Sequence, residues 1–222
     1  MNKALKARLN KISEGSLYSS FTGSSMIKYS FKVLKRFLLE GSILELGPAE
    51  GLMTEELIKV SKDVTVVEGS SVFSDLLRKK FAGNEILIIN ELFEDFILEK
   101  KFDNIILGHV LEHVSDPKKI LIKIRSNLKD DGIIFCSVPN ARSIHRQAAV
   151  LMGLINSEFE FLEKDKHHGH MRIYNPETLR KEFIDSGYKI KHFGGYWLKP
   201  ISDRQIEENW DEKMLDAFMC LG

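Results

Sequence analysis

Ser42-Ile43-Leu44-Glu45-Leu46-Gly47-Pro48-Ala49-Glu50-Gly51 is an apolar run that breaks into a turn containing two glycines, and a helical stretch, Met53–Val60, follows at once. An uninterrupted apolar run of this length reads as a strand covered on both faces. The glycines let the chain turn tightly and approach a ligand with no Cβ in the way. The same rhythm repeats downstream. Val64–Glu68, Glu85–Asn90, Asn104–Leu107 and Ile133–Val138 read as buried strands, and Val72–Lys80 and Pro117–Leu128 read as helices. Parallel pairing needs crossover connections, and crossover helices shield both faces of the sheet. The expected fold class is α/β, a doubly wound, mostly parallel sheet whose core covers residues 41–140.

Outward from this core the pattern weakens. Residues 1–25 are polar and basic, then rich in Ser and Gly, so no strongly periodic element is expected before Met26. Met26, Tyr29, Val33, Phe37 and Leu38 share one face of an amphipathic helix that Gly41 stops, which makes 1–40 an N-terminal helical cap. Beyond Pro139, Ser143–Leu154 looks helical and Asn156–Gly169 is charged and irregular. The segment 141–175 is too long for a plain connection and reads as a lid or substrate segment. Pro176–Ser186 reads as a helix stopped by Gly187, Tyr188–Phe193 as another strand, and Asp203–Gly222 as a helix carrying Trp210, Met214, Leu215, Phe218 and Met219. The C-terminal part, 176–222, completes a single domain over 1–222. Its last helix is expected to dock on the core, with a homodimer interface as the alternative.

The 222 residues carry 32 basic and 32 acidic side chains. That balance argues against a polyanionic partner, because phosphate-backbone affinity comes from neutralising several charges at once. No nucleic acid is expected. Cys136 and Cys220 form neither a disulfide framework nor a zinc pair. No run reaches the roughly 18 apolar residues that span a bilayer. The expectation is a cytoplasmic protein with no membrane contact and a small-molecule substrate.

Ligands of open α/β sheets lie beyond the carboxyl ends of the strands, where the strand order reverses. The loop Gly47–Gly51 lacks the third glycine of a dinucleotide fingerprint, and Glu45 would face a pyrophosphate unfavourably. A nucleoside without phosphates and with a cationic group suits it better. An NAD-dependent oxidoreductase is correspondingly disfavoured.

Glu45-x-Gly47-x-x-x-Gly51 resembles the first motif of class I S-adenosylmethionine-dependent methyltransferases. Val64–Glu68 is similar to their second strand, and Phe102–Pro117, containing His109-Val110-Leu111-Glu112-His113-Val114-Ser115-Asp116-Pro117, resembles the HVLEHVxDP pattern of one large subgroup. Leu128–Gly132 and Ser137–Asn140 look like the fifth-strand region, so the likeness spans residues 42–140. It implies a Rossmann-like methyltransferase fold and S-adenosyl-L-methionine as cofactor. It places Glu45, Gly47, Pro48 and Gly51 in the cofactor loop, and Glu68 on the ribose hydroxyls with Gly69 and Ser70 beside it. Glu91 or Leu92 is expected near the adenine, with Glu94 and Asp95 as competitors. His109 and Leu111 are further cofactor contacts, and His113 and His109 are the candidate catalytic groups. A Glu-His pair opening a helix also has a purely structural reading.

His167, His168 and His170 form a second cluster. No carboxylate-His pair at helical spacing accompanies them, so no metal is expected. His170-x-Arg172-x-Tyr174 resembles the segment that lies near the substrate opening in the same subgroup. With Asn140 and His168, these residues are the substrate candidates, and their character suits an anionic or hydroxylated ligand. The expected activity is methyl transfer to O or N of a small polar, anionic or sugar-type metabolite. A cofactor-binding module without catalysis is the alternative.

Overall fold

The protein is described by a computed structural model that covers residues 2–14 and 20–222. Five parallel strands, β1 (Ile43–Leu46), β2 (Val64–Val67), β3 (Ile86–Ile89), β4 (Phe102–Gly108) and β5 (Leu128–Ser137), form one sheet in the order β3-β2-β1-β4-β5. The order reverses between β1 and β4, whose paired residues include Glu45 and Ile106. Every residue of β1 and β2 is buried, as their unbroken apolar runs require.

Helices cover both faces. α2 (Phe21–Leu34), α3 (Leu52–Leu57) and α4 (Ser71–Lys80) pack one core cluster around Leu34, Leu57, Val66 and Leu77. α5 (Pro117–Arg125) and α8 (Pro176–Asp185) flank the other face, around Leu107, Leu111, Ile120 and Ile124. The helix starts are written locally. Ser70 accepts from the Phe73 amide, and Asp116 accepts from the Lys119 amide ahead of Pro117 at the first helical turn. Buried Asn104 pins the chain entering β1, with its side-chain amide accepting from and donating to the backbone of Leu39 at 2.9 Å each.

Four expectations are corrected. A helix, α1 (Asn2–Glu14), precedes Met26, and α2 begins at Phe21 behind the cap Ser20. The apolar stripe of α1 is sparse, but Leu9 and Ile12 find partners in Gly69 and Gly169, so tertiary contact stabilises a helix whose sequence pattern is weak. No strand forms over 188–193: Ile190 is 39% exposed, and Phe193 lies under the Arg180 guanidinium instead of on the sheet edge. The C-terminal stretch is two helices, α9 (Asp203–Asn209) and α10 (Glu212–Leu221). They dock on α2 through Ile206, Leu215 and Met219 against Tyr29. The lid carries α6 (Ile144–Leu151) and α7 (Glu163–His167), the latter within the stretch expected to be irregular.

Candidate active site

The loop after β1 holds three consecutive turns of unusual backbone. Gly47, Ala49 and Gly51 all have positive φ, at 69°, 49° and 76°. At Gly51 a Cβ would lie 2.7 Å from Leu77 and 2.8 Å from Phe81, so the start of α3 passes α4 too closely for any side chain. At Gly47 a Cβ would meet Val110 at 3.0 Å. At the end of β4, His109 is the other non-glycine residue among the described residues with a left-handed backbone, φ 57°. Such conformations cost on the order of 1 kcal/mol each and persist where the surroundings impose them. Ala49 and His109 both line the same cleft.

That cleft, open to solvent, sits where the strand order reverses. Its walls are Gly47–Glu50 of the loop, Leu52 and Met53 of α3, Ile27 and Ser30 of α2, and Gly108 and His109 of β4. Glu45 forms its floor and accepts a hydrogen bond from Thr54 Oγ1 at 2.6 Å. Burial pushes the Glu45 carboxyl up to about 7, and the nearby Glu68 adds to the effect. Glu68, only 6% exposed at the end of β2, accepts from the Ser70 amide at 2.8 Å and the Ala49 amide at 3.2 Å. Burial raises it to about 7 as well, against the opposing pull of those amides.

These residues fit S-adenosylmethionine. Each oxygen of Glu68 keeps a further lone pair after its backbone bond, enough for two hydroxyl donors of a ribose. Glu45 offers a carboxylate to an ammonium group. The glycine at position 47 leaves the backbone bare where a side chain would fill the cradle. The cofactor supplies an activated methyl group; the chain has only to hold it and align an acceptor.

Beyond β3, Leu92 is buried and packs against Gly69, while Glu91 pairs with Lys6 of α1 at 2.8 Å, which holds the Glu91 carboxyl below its usual range. Asn10 of α1 accepts from Ser70 Oγ at 2.9 Å and the Ser71 amide at 3.1 Å. Arg8 reaches the Gly169 carbonyl at 3.0 Å. The helix absent from the sequence reading thus roofs the ends of β2 and β3 and ties them to the lid.

The loop after β4 separates residues that the sequence grouped. His109 Nδ1 lies 3.3 Å from Glu112, and its Nε2 lies 3.3 Å from the Tyr196 hydroxyl. His113 is not among the cleft-lining side chains; its ring meets that of His170 at 4.8 Å. Leu111 is buried in the core, and its carbonyl accepts from Arg172 at 2.8 Å.

The substrate candidates turn their polar groups to the protein itself. Arg172 spends its guanidinium on the carbonyls of Leu111, Val114 and Ser115, stitching the lid to the β4 loop. Tyr174 is buried in the core with its hydroxyl toward Glu182. Asn140 accepts from the Arg142 amide, His170 pairs with Asp165 at 3.0 Å, and His168 is buried. None of the five lines the cleft. Ile27, Ser30, Ala49 and Met53 line it instead, and the Tyr196 hydroxyl stands next to the lining residue His109. Ile27 and Ser30 lie three apart on a helix already legible in the sequence; Tyr196 carries no local signal.

Residues 24–192 match the family described as a methyltransferase domain. Among curated relatives, a ubiquinone biosynthesis O-methyltransferase of Actinobacillus pleuropneumoniae is 26% identical over 172 residues, 73% of this chain and 71% of the relative. One with the same name from Coxiella burnetii is 28% identical over 166 residues, covering 72% and 69%. A solved Thermotoga maritima S-adenosylmethionine-dependent methyltransferase, described as a possible histamine N-methyltransferase, shares the fold with a TM-score of 0.62 at 18% identity, covering 86% and 82% of the two chains. With the family match running over residues 24–192 and the parallel sheet in the order β3-β2-β1-β4-β5, the chain belongs to the methyltransferase-domain family, as a class I S-adenosylmethionine-dependent methyltransferase.

Proposed function

We propose that the chain methylates O or N of a small, polar, uncharged or cationic metabolite, a sugar-type or amine compound among them. The observation that carries this reading is the composition of the cleft: among the described residues its charged side chains are Glu45 and Glu50, its other polar side chains are Ser30 and His109, and no Lys or Arg lines it. With Glu45 turned to the cofactor's ammonium group, Glu50 is the charged side chain left on the wall, so an acceptor with hydroxyl or amine groups is favoured over an anion, which would find no cationic partner there. The relatives that are named O-methyltransferases support oxygen as one acceptor atom.

The chain's own contribution is positioning. Glu68 and Glu45 grip the two polar ends of the cofactor. Ser30, His109 and the Tyr196 hydroxyl orient the acceptor so that its reacting atom sits roughly 3–3.5 Å from the methyl carbon. With His109 Nδ1 turned to Glu112, its Nε2 faces Tyr196. We assign Glu45, Gly47, Pro48, Gly51, Glu68, Gly69, Ser70, Leu92 and His109 to the cofactor side.

The test is a two-step assay. S-adenosylhomocysteine binding is measured by calorimetry, and a panel of hydroxylated, amine and carboxylated small molecules is then screened for methyl uptake by mass spectrometry. Absence of S-adenosylhomocysteine binding refutes the site, and turnover confined to carboxylated or phosphorylated acceptors refutes the proposed substrate class.

A further inference from the structure

Behind His109, on the far side of the β4 loop from the cleft, three side chains converge. Glu112, His113 and His170 each offer a ligand atom, and all of these atoms lie within 4.8 Å of one another. Glu112 is 1% exposed. Beyond His109 Nδ1 at 3.3 Å, no hydrogen-bond donor among the described residues reaches either of its carboxylate oxygens, and His113 Nε2 is buried without a partner as well. A buried carboxylate short of hydrogen-bond donors costs several kcal/mol unless something meets it; the nearest ring nitrogens are His109 Nδ1 at 3.3 Å and His113 Nε2 at 4.0 Å from the same oxygen.

We propose that Glu112, His113 and His170 bind one divalent transition-metal ion of the zinc class, clasping the lid to the loop after β4. The donor set decides the class: two imidazole nitrogens and one carboxylate oxygen suit zinc and its neighbours, whereas calcium and magnesium take oxygen ligands. Bonds of roughly 2.0–2.2 Å would bring tetrahedral donors to about 3.3 Å apart, a modest rotation of each ring from where they stand. Three protein ligands leave one position for water or another small donor.

The surroundings are those of a supported ligand. Asp165 Oδ1 lies 3.0 Å from His170 Nδ1, which turns Nε2 toward Glu112, and Asp165 itself is fixed by the Leu162 amide at 2.9 Å and by Arg146 at 3.3 Å. A carboxylate behind a ligating histidine is the usual means of setting its tautomer and direction. The Met171 amide donates to the Glu112 carbonyl at 2.7 Å, so the two ligand-bearing segments are already held side by side. The short stretch from His170 to Arg172 therefore joins the β4 loop at three places, with the ion at the first.

This inference does not rest on the proposed acceptor: metal uptake is read on the protein alone, with no cofactor or substrate. The full chain, carrying no histidine tag, is stripped with a chelator, dialysed and titrated with cobalt(II), and zinc affinity is then read by displacement. One equivalent per chain with visible ligand-field bands of a four-coordinate ion is expected. Glu112→Gln and His170→Ala should each weaken uptake at least a hundredfold, Asp165→Asn about tenfold to a hundredfold, and His167→Ala, on the exposed end of α7, should bind as the wild type does. A wild-type chain that takes up no cobalt overturns the proposal without recourse to any variant. Uptake unchanged in both Glu112→Gln and His170→Ala overturns it too, since the ion would then sit elsewhere.

Discussion

The affinity for S-adenosylhomocysteine should rise with pH between 6 and 8, and Glu68 is the reason. Its carboxyl, like that of Glu45, is raised to about 7 by burial. Ribose hydroxyls donate to a carboxylate, so binding favours the ionised form. At pH 6 a group with that value is about one-tenth ionised, which weakens binding about tenfold relative to the plateau above pH 8. If Glu45 must also ionise to meet the amino group of the ligand, the loss grows to about a hundredfold. Calorimetry in two buffers of different ionisation enthalpy counts the protons released, up to one per carboxylate at pH 6. Glu68→Gln should flatten its share of the slope and weaken binding at pH 8 by roughly tenfold to a hundredfold, since charge-assisted hydrogen bonds contribute about 1.5–3 kcal/mol. The ligand-free protein carries the opposite signature. A group raised from about 4.3 to about 7 keeps its proton in the native state where the unfolded chain has lost it, so its contribution to stability is full below about 4.3 and is lost as pH rises through 7. Glu68→Gln should therefore gain stability relative to wild type as pH goes from 6 to 8. Wild-type affinity that stays flat across this range, or a Glu68→Gln slope equal to the wild-type one, refutes the assignment of these carboxylates to the cofactor.

Gly51→Ala combines a left-handed backbone with a Cβ driven against Leu77 and Phe81; about 2–5 kcal/mol of destabilisation is expected, read as a fall in Tm of roughly 5–15 °C for a chain of this size. A Tm within 2 °C of wild type, on the same scale, would show that α4 yields instead. Arg172→Ala leaves the carbonyls of Leu111, Val114 and Ser115 without their cationic partner. It should lower stability by about 1.5–3 kcal/mol while S-adenosylhomocysteine affinity changes less than about twofold, an outcome that parallel melting and calorimetry distinguish from direct ligand contact. Lys6→Ala breaks the half-exposed pair with Glu91; unfolding should be unaffected and S-adenosylhomocysteine should dissociate faster in stopped-flow, because α1 roofs that end of the site. Burial pushes the Cys136 thiol well above its usual range, whereas Cys220 is exposed. A thiol reagent should therefore titrate one cysteine in the native protein and both after denaturation.

The lid shows why a resemblance in sequence places residues near a site without saying what they do there. His170 and Arg172 do lie beside the β4 loop, within reach of residues 111–115, while Tyr174 pairs with Asn140 and Ala141 after β5. Their polar groups are turned to the protein itself: Arg172 to backbone carbonyls, Tyr174 to Glu182, and His170 to Asp165. A basic, aromatic cluster looks the same in one dimension whether it faces a ligand or closes a loop, because the difference lies in which unpaired carbonyls stand opposite.

What the sequence by itself determined was the sheet, its crossover helices and the cofactor loop, through interactions that are local or periodic. A strand buried on both faces must be apolar throughout, as Ile43–Leu46 and Val64–Val67 are. A helix start needs an acceptor side chain, as Ser70 and Asp116 supply. A backbone turning over a nucleoside needs glycine, as at Gly47 and Gly51. Each requirement is met within a few residues of where it is read. Only the tertiary structure decided the rest. α1 exists as a roof because Leu9, Asn10 and Ile12 meet Gly69, Ser70 and Gly169 from far along the chain. Tyr196 reaches His109 across 87 positions, and the segment that carries it precedes α9 and α10, which dock on α2. Contacts of that separation leave no period in the sequence; they form when packing brings distant segments together.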